Sequence, residues 1–127
     1  MLEDVSNVEL EVKESSIPGA GEGLFLASFC AEAGQILLRE NPRVIKRNEA
    51  KKIMNSIEWK DRNPVIQLNK NRFLDIRKLQ MYKANHSSQS NIDVQRTGES
   101  CIEVVALRDI YEGEELFWEY SPTWTPP

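Results

Sequence analysis

Histidine and cysteine are scarce in this chain: its 127 residues contain one His, His86, and two Cys, Cys30 and Cys101. A structural zinc site takes four ligands, so these three cannot build one. No patterned acidic cluster offers magnesium an all-carboxylate site instead, and no metal is expected. A Cys30–Cys101 disulfide stays open, but two buried thiols suit their strand-like settings better. No run of about 18 apolar residues occurs, which excludes a membrane-spanning helix. The opening MLEDVSNVELEVK is acidic and lacks the basic and apolar regions of a signal peptide, so the expected location is the nucleus or cytoplasm. Repeats, low-complexity segments and linkers are absent too. What is present, 40% apolar and 28% charged residues, is the composition of an ordinary globular protein. The length fits one domain spanning 1–127, with a core over 8–121 and a short tail over 122–127.

The net charge of −4 hides an asymmetry. Residues 39–83 carry 13 Lys or Arg against 5 Asp or Glu, whereas residues 99–119 carry 7 acids against one base, Arg108. Such blocks can be two solvated faces. They can also be surfaces for a basic peptide and for an anion such as nucleic acid.

The apolar pattern is mostly of period two. Val8, Leu10 and Val12 alternate with polar residues and predict a half-buried strand over 7–15. GLFLAS predicts a second strand and Ile36–Arg39 a third, which Pro42 ends. VIQLNKNRFLDI predicts a hairpin around Asn69–Asn71, CIEVVALRDI a strand over 101–110, and Glu115–Tyr120 a last strand after a turn at Glu112-Gly113. Only 47–60 has helical spacing, with Ala50, Ile53, Met54 and Ile57 on one face and Asn48 as the expected N-cap. Six to eight short strands and one main helix make an α+β, mostly β domain. Without strand–helix alternation, a doubly wound sheet is excluded.

Taken singly, the motifs are modest. Gly19, Gly21 and Gly23 follow a G-x-G-x-G spacing and precede a strand, so they are not the dinucleotide fingerprint, which opens a helix. Glycines there permit positive φ or let a ligand approach bare backbone. In RDIYEGEEL, Asp109 and Gly113 mark a corner and Glu112, Glu114 and Glu115 are expected in solvent. MYKANHSSQSN reads as a polar loop. No Ser-His-Asp order or Cys-His neighbour is legible.

Their order along the chain says more. Gly21-Glu22-Gly23, then Asn85-His86-Ser87-Ser88-Gln89-Ser90-Asn91, then Gly113-Glu114-Glu115-Leu116-Phe117-Trp118-Glu119-Tyr120 resemble the SET domain of protein lysine methyltransferases. That family has a G-x-G turn, an N-H-S-C-x-P-N segment and a closing G-E-E-L-x-x-x-Y. Ser88 and Ser90 stand at the usual Cys and Pro, and the cysteine-rich zinc flanks of many members have no counterpart. The resemblance implies several short twisted sheets with a pseudo-knot formed by the C-terminal segment.

It also implies an S-adenosyl-L-methionine-dependent protein-lysine N-methyltransferase. Ala20, Gly21, Glu22, Gly23, Asn85 and His86 would bind the cofactor, the glycines by leaving it space. Tyr120 would be the catalytic tyrosine. Tyr82, Phe117, Trp118 and Trp124 are candidates for an aromatic channel around the substrate lysine, with one of Phe117 and Trp118 facing inward. The substrate would be a lysine-bearing protein, with a histone tail suited to the acidic rim, and residues 39–83 could touch nucleosomal DNA. A homodimer stays open. A catalytically inactive SET-like module that binds peptide or chromatin, or an unrelated β-rich interaction domain, are the alternatives.

Overall fold

A computed structural model of the chain describes residues 8–56, 64–98 and 100–119. Twelve short strands and one α-helix are arranged in four small sheets among these residues. The sheet that carries the motifs has the order β1-β2-β12-β8, built from β1 (Leu10–Glu14), β2 (Glu22–Leu26), β8 (Asn85–His86) and β12 (Glu115–Trp118). β12 pairs antiparallel with β2 and parallel with β8, so the last strand is inserted between two that precede it by dozens of residues. The insertion brings the closing motif between the other two, while residues 120–127 of the expected pseudo-knot lie outside the described residues.

Alternation decides which side chains reach the core. On β2 and β12, Leu24, Leu26, Leu116 and Trp118 point into the main core with Leu37, Leu74, Ile76, Met81, Tyr82, Ile92, Ile102, Val104 and Ile110. Phe25, Glu115 and Phe117 take the opposite face. β10 (Cys101–Ala106) supplies the core through Ile102, Val104 and Ala106, as its sequence alternation predicts, and lies between β4 (Ile36–Glu40) and β9 (Ile92–Thr97). β3 (Cys30–Ala31) and β11 (Ile110–Tyr111) form a two-stranded ribbon. The predicted hairpin is β6 (Val65–Gln67) and β7 (Arg72–Asp75), and Asn69 Oδ1 accepts from the backbone N–H groups of Asn71 and Arg72 to close its turn. β7 also pairs with β5 (Arg43–Lys46), and α1 (Arg47–Met54) covers that sheet through Ala50 and Ile53, packed with Ile45, Val65 and Phe73.

Several expectations are corrected. The N-cap of α1 is Lys46, with no side-chain cap bond, and Asn48 lies inside the first turn. β5 runs directly into the helix, and its ladder, Lys46 opposite Arg72, fixes where the helix can begin. α1 ends at Met54, short of residue 60, and Ile57 lies outside the described residues. β1 is an edge strand, exposed along Glu11–Glu14 rather than half-buried. Both cysteines are free, and Cys30 is exposed rather than buried because its partner on the ribbon, Tyr111, also points to solvent. No helix among the described residues is long and apolar enough to cross a membrane.

Candidate active site

Three stretches far apart in sequence meet beside β12. Asn85 is buried, and its side-chain Nδ2 donates to the Glu22 carbonyl at 3.0 Å and to Glu115 Oε2 at 3.1 Å. The glycine turn and the Asn85-His86 pair, both expected at the cofactor, are thus fastened together. The loop expectation for 81–91 is corrected in part: Gln80–Lys83 is a 3-10 turn, and Asn85 and His86 form β8 opposite Phe117 and Trp118. The 3-10 turn is held by Glu40, whose carboxylate accepts from the N–H groups of Gln80 and Met81 at 2.9 and 3.1 Å.

Glu115, expected in solvent, is only 7% exposed. Its carboxylate accepts four hydrogen bonds: from Ser15 Oγ (2.8 Å), Ser16 N–H (2.9 Å), Ser16 Oγ (2.6 Å) and Asn85 Nδ2 (3.1 Å). Burial of an unsatisfied carboxylate would be prohibitive, whereas four donors make it tenable. Burial pushes its pKa up, but the bonds from Ser16, Asn85 and Ser15 outweigh that and leave it below the usual carboxylate range. Asp75 has the same balance: burial raises it, and Arg77 and then Arg43 bring it down. A carboxylate whose folded pKa lies below its unfolded value adds stability above the unfolded pKa, and that stability is lost as pH falls through the folded value. The melting temperature is therefore expected to be level from about pH 7 to 5 and to fall below about pH 4.5. Glu115→Gln should show a shallower acid slope in calorimetric scans; an unchanged slope would refute the role of Glu115.

The same carboxylate explains a glycine. A Cβ at Gly23 would overlap Glu115 Oε2 and come within 3.3 Å of Asn85 Nδ2. The space at Gly23 is thus filled by the protein, which corrects the expectation that a ligand needs it. Gly21 is different: its φ is +79°, and a Cβ there would meet nothing within 4 Å. Ala20 is half-buried, while Gly21, Glu22 and His86 are exposed. Glu22 is paired with Lys83 at 3.0 Å.

Of the four aromatic candidates, Tyr82 and Trp118 are buried in the main core. Phe117 is half-buried on the other face, so only one of the adjacent pair faces the core. Tyr120 and Trp124 lie outside the described residues. On the Phe117 face, Ser16, Phe25, Gln89, Asn91, Glu115 and Phe117 contribute to a pocket of about 370 Å³, with Arg108 and Glu114 at its wall. Arg108 and Glu114 are ion-paired at 3.0 Å.

Asn91 has a part that sequence reasoning gave to no residue. It is 2% exposed. Its Nδ2 donates to the Glu115 carbonyl at 2.9 Å, its Oδ1 accepts from Phe117 N–H at 2.8 Å, and its backbone N–H donates to the Phe117 carbonyl at 3.0 Å. One side chain thereby acts as a further strand along β12. The signal was available, since Asn91 closes the N-H-S-S-Q-S-N segment.

The SET domain family model matches residues 21–121, and the chain belongs to that family. No curated protein sequence matches it significantly. Among solved structures, the Polycomb Repressive Complex 2 of Chaetomium thermophilum bound to GSK126 superposes with a TM-score of 0.76 at 23% identity, over 91% of this chain and 16% of that one. An autoinhibited ctPRC2 bound to S-adenosylmethionine gives 0.75 at 22%, over 90% and 15%. ctPRC2 in complex with H3K27me3 and H3K27M gives 0.77 at 22%, over 93% and 15%. These likenesses establish a common SET-like fold, and this chain spans about one-sixth of the length of the chains it matches.

Proposed function

We propose that this protein is an S-adenosyl-L-methionine-dependent protein-lysine N-methyltransferase acting on a histone tail, in the nucleus or cytoplasm, through a single domain with its core over 8–121. The observation that carries the reading is Asn85, held between the Glu22 carbonyl and the Glu115 carboxylate. It joins all three family motifs at one point. The residues fit a polar adenosyl ligand, because Gly21 has open space on its Cβ side, Gly21, Glu22 and His86 are exposed, and Asn85 ties the Glu22 backbone to the strand that carries His86. Ala20, Gly21, Glu22, Asn85 and His86 would hold it, with Gly23 contributing backbone alone because its Cβ side is filled by Glu115 and Asn85. When bound, it supplies a methyl group activated on a sulfonium.

The chain's own work is to orient and to exclude water. A lysine amine has a pKa near 10.4, so its neutral, nucleophilic form must be favoured, and a desolvated aromatic channel does this. Phe117, on the pocket face, and Trp124 are proposed as its walls, Tyr82 and Trp118 being buried in the main core, and the Tyr120 hydroxyl as the group that aligns the amine. The acidic segment 99–119 suits a basic substrate tail. Arg39, Arg43, Arg77 and Lys83, from the basic stretch, are ion-paired within the chain. Contact with DNA and self-association are no part of the proposal.

Calorimetric titration with S-adenosylmethionine, followed by methyl-labelled cofactor and histones, tests the reading. Binding and label transfer to lysine are expected, with transfer lost in Tyr120→Phe and binding weakened in Asn85→Ala. Binding without transfer to any protein substrate would favour the inactive binding module, and no binding by the folded protein would overturn the cofactor assignment.

A further inference from the structure

The residues that fasten Asn85 extend beyond the family match. Ser15 and Ser16 precede residue 21, where that match begins, yet they supply three of the four hydrogen bonds to the Glu115 carboxylate. The Ser15 N–H also donates to the Gly21 carbonyl at 2.8 Å, and Ser15 Oγ accepts from Ile17 N–H at 3.0 Å. The short arm before the glycine turn is therefore bonded both to the turn and to the carboxylate behind it.

We infer that Glu115 is a positioning residue for the adenosyl site, and that Ser15 and Ser16 belong to that site as its outer support. This inference rests on the proposed cofactor reading. Its physical basis is division of labour around one carboxylate. An Asn side chain can turn about its terminal torsion with little resistance, because that torsion is broad. Asn85 is denied this freedom by two acceptors of fixed place, the Glu22 carbonyl and Glu115 Oε2. The Glu22 carbonyl belongs to β2 backbone, but Glu115 Oε2 is held only as firmly as its own donors hold it. Those donors are Ser15 and Ser16. Bonds to a charged acceptor are stronger than neutral ones and leave less room for reorientation. Loosening the serines would let the carboxylate rotate, then the amide, and then the relation between the Gly21–Gly23 turn and His86. Positional errors of this kind cost affinity without removing any group that touches the ligand.

The test uses S-adenosylhomocysteine as the probe, titrated by calorimetry into the full chain and into Glu115→Gln, Ser15→Ala/Ser16→Ala, Asn85→Ala and Glu115→Gln/Asn85→Ala. Far-UV circular dichroism and melting curves identify a temperature at which all are folded. Glu115→Gln is expected to bind about tenfold more weakly, and the double serine variant several-fold more weakly. The Glu115→Gln/Asn85→Ala protein should bind no more weakly than the worse single variant, since both changes break one linkage. The Asn85 side-chain amide resonances should shift in the serine variant, a readout that a general loss of stability would not produce. If the wild type binds and Glu115→Gln binds equally well, or the two changes are additive, the inference is overturned while the cofactor reading stands. If the folded wild type does not bind, the cofactor reading itself has failed and takes the inference with it.

Discussion

Gly23→Ala is expected to lower the melting temperature by roughly 10 °C, corresponding to about 3 kcal/mol. The added methyl meets the Glu115 carboxylate on one side and Asn85 Nδ2 on the other. Neither can withdraw cheaply. The carboxylate is held by Ser15, Ser16 and Asn85, and moving it leaves buried donors unsatisfied. Gly21→Ala is the control. It lies two residues away, just before β2, meets no atom within 4 Å, and pays only for its positive φ of +79°. That cost is about 1 kcal/mol. Calorimetry on the two variants separates the causes. Equal shifts would mean that the Glu115 carboxylate yields easily and does not set the identity of residue 23.

Asn91→Asp should be nearly as damaging, at about 3 kcal/mol near neutral pH, and worse than Asn91→Ala. The Asp carboxylate could still accept from Phe117 N–H, as Asn91 Oδ1 does at 2.8 Å. It would also face the Glu115 carbonyl, to which Nδ2 now donates at 2.9 Å, with oxygen against oxygen. At a position only 2% exposed, the charge is costly, and the carboxyl pKa should rise so that it can donate again. With its folded pKa raised, the Asp variant loses stability relative to wild type as pH climbs above the unfolded carboxylate value toward the raised folded one. Urea midpoints at about pH 5 and 7 should show the deficit widening with pH. A deficit that is the same at both would argue that the carboxylate finds another donor.

Much of the fold was legible because local pattern and tertiary role coincide. β10 alternates in sequence and in burial, the β6–β7 hairpin carries its own Asn69 turn, and Gly113 marks the last corner with a φ of +89°. β9, IDVQRT, was not legible. It has only two apolar residues, and it is a strand because its backbone completes a ladder with β10. Asn48 was a reasonable cap by residue type, but the β5 ladder ends at Lys46 and sets the helix start. The candidate site divides in the same way. Its motif residues could be named from order and spacing. The burial of Glu115 could not, because a glutamate in Glu-Gly-Glu-Glu is by default solvated, and the donors that change this lie 99 and 100 positions away at Ser16 and Ser15, and 30 away at Asn85.

The insertion of β12 between β2 and β8 also bears on how the protein is made. β2 is synthesised well before its neighbour on the inner side, a strand some ninety residues later, with Phe25 opposite Glu115. Until that strand emerges, β2 can pair only with β1, and its other edge is an open template for any extended chain nearby. Closing so long a loop has an entropic cost that no local contact repays beforehand, so completion of the sheet belongs among the slower steps of β-rich folding. The open β2 edge thus exposes the nascent chain to aggregation until β12 is released, and a chaperone that shields that edge would act at that stage.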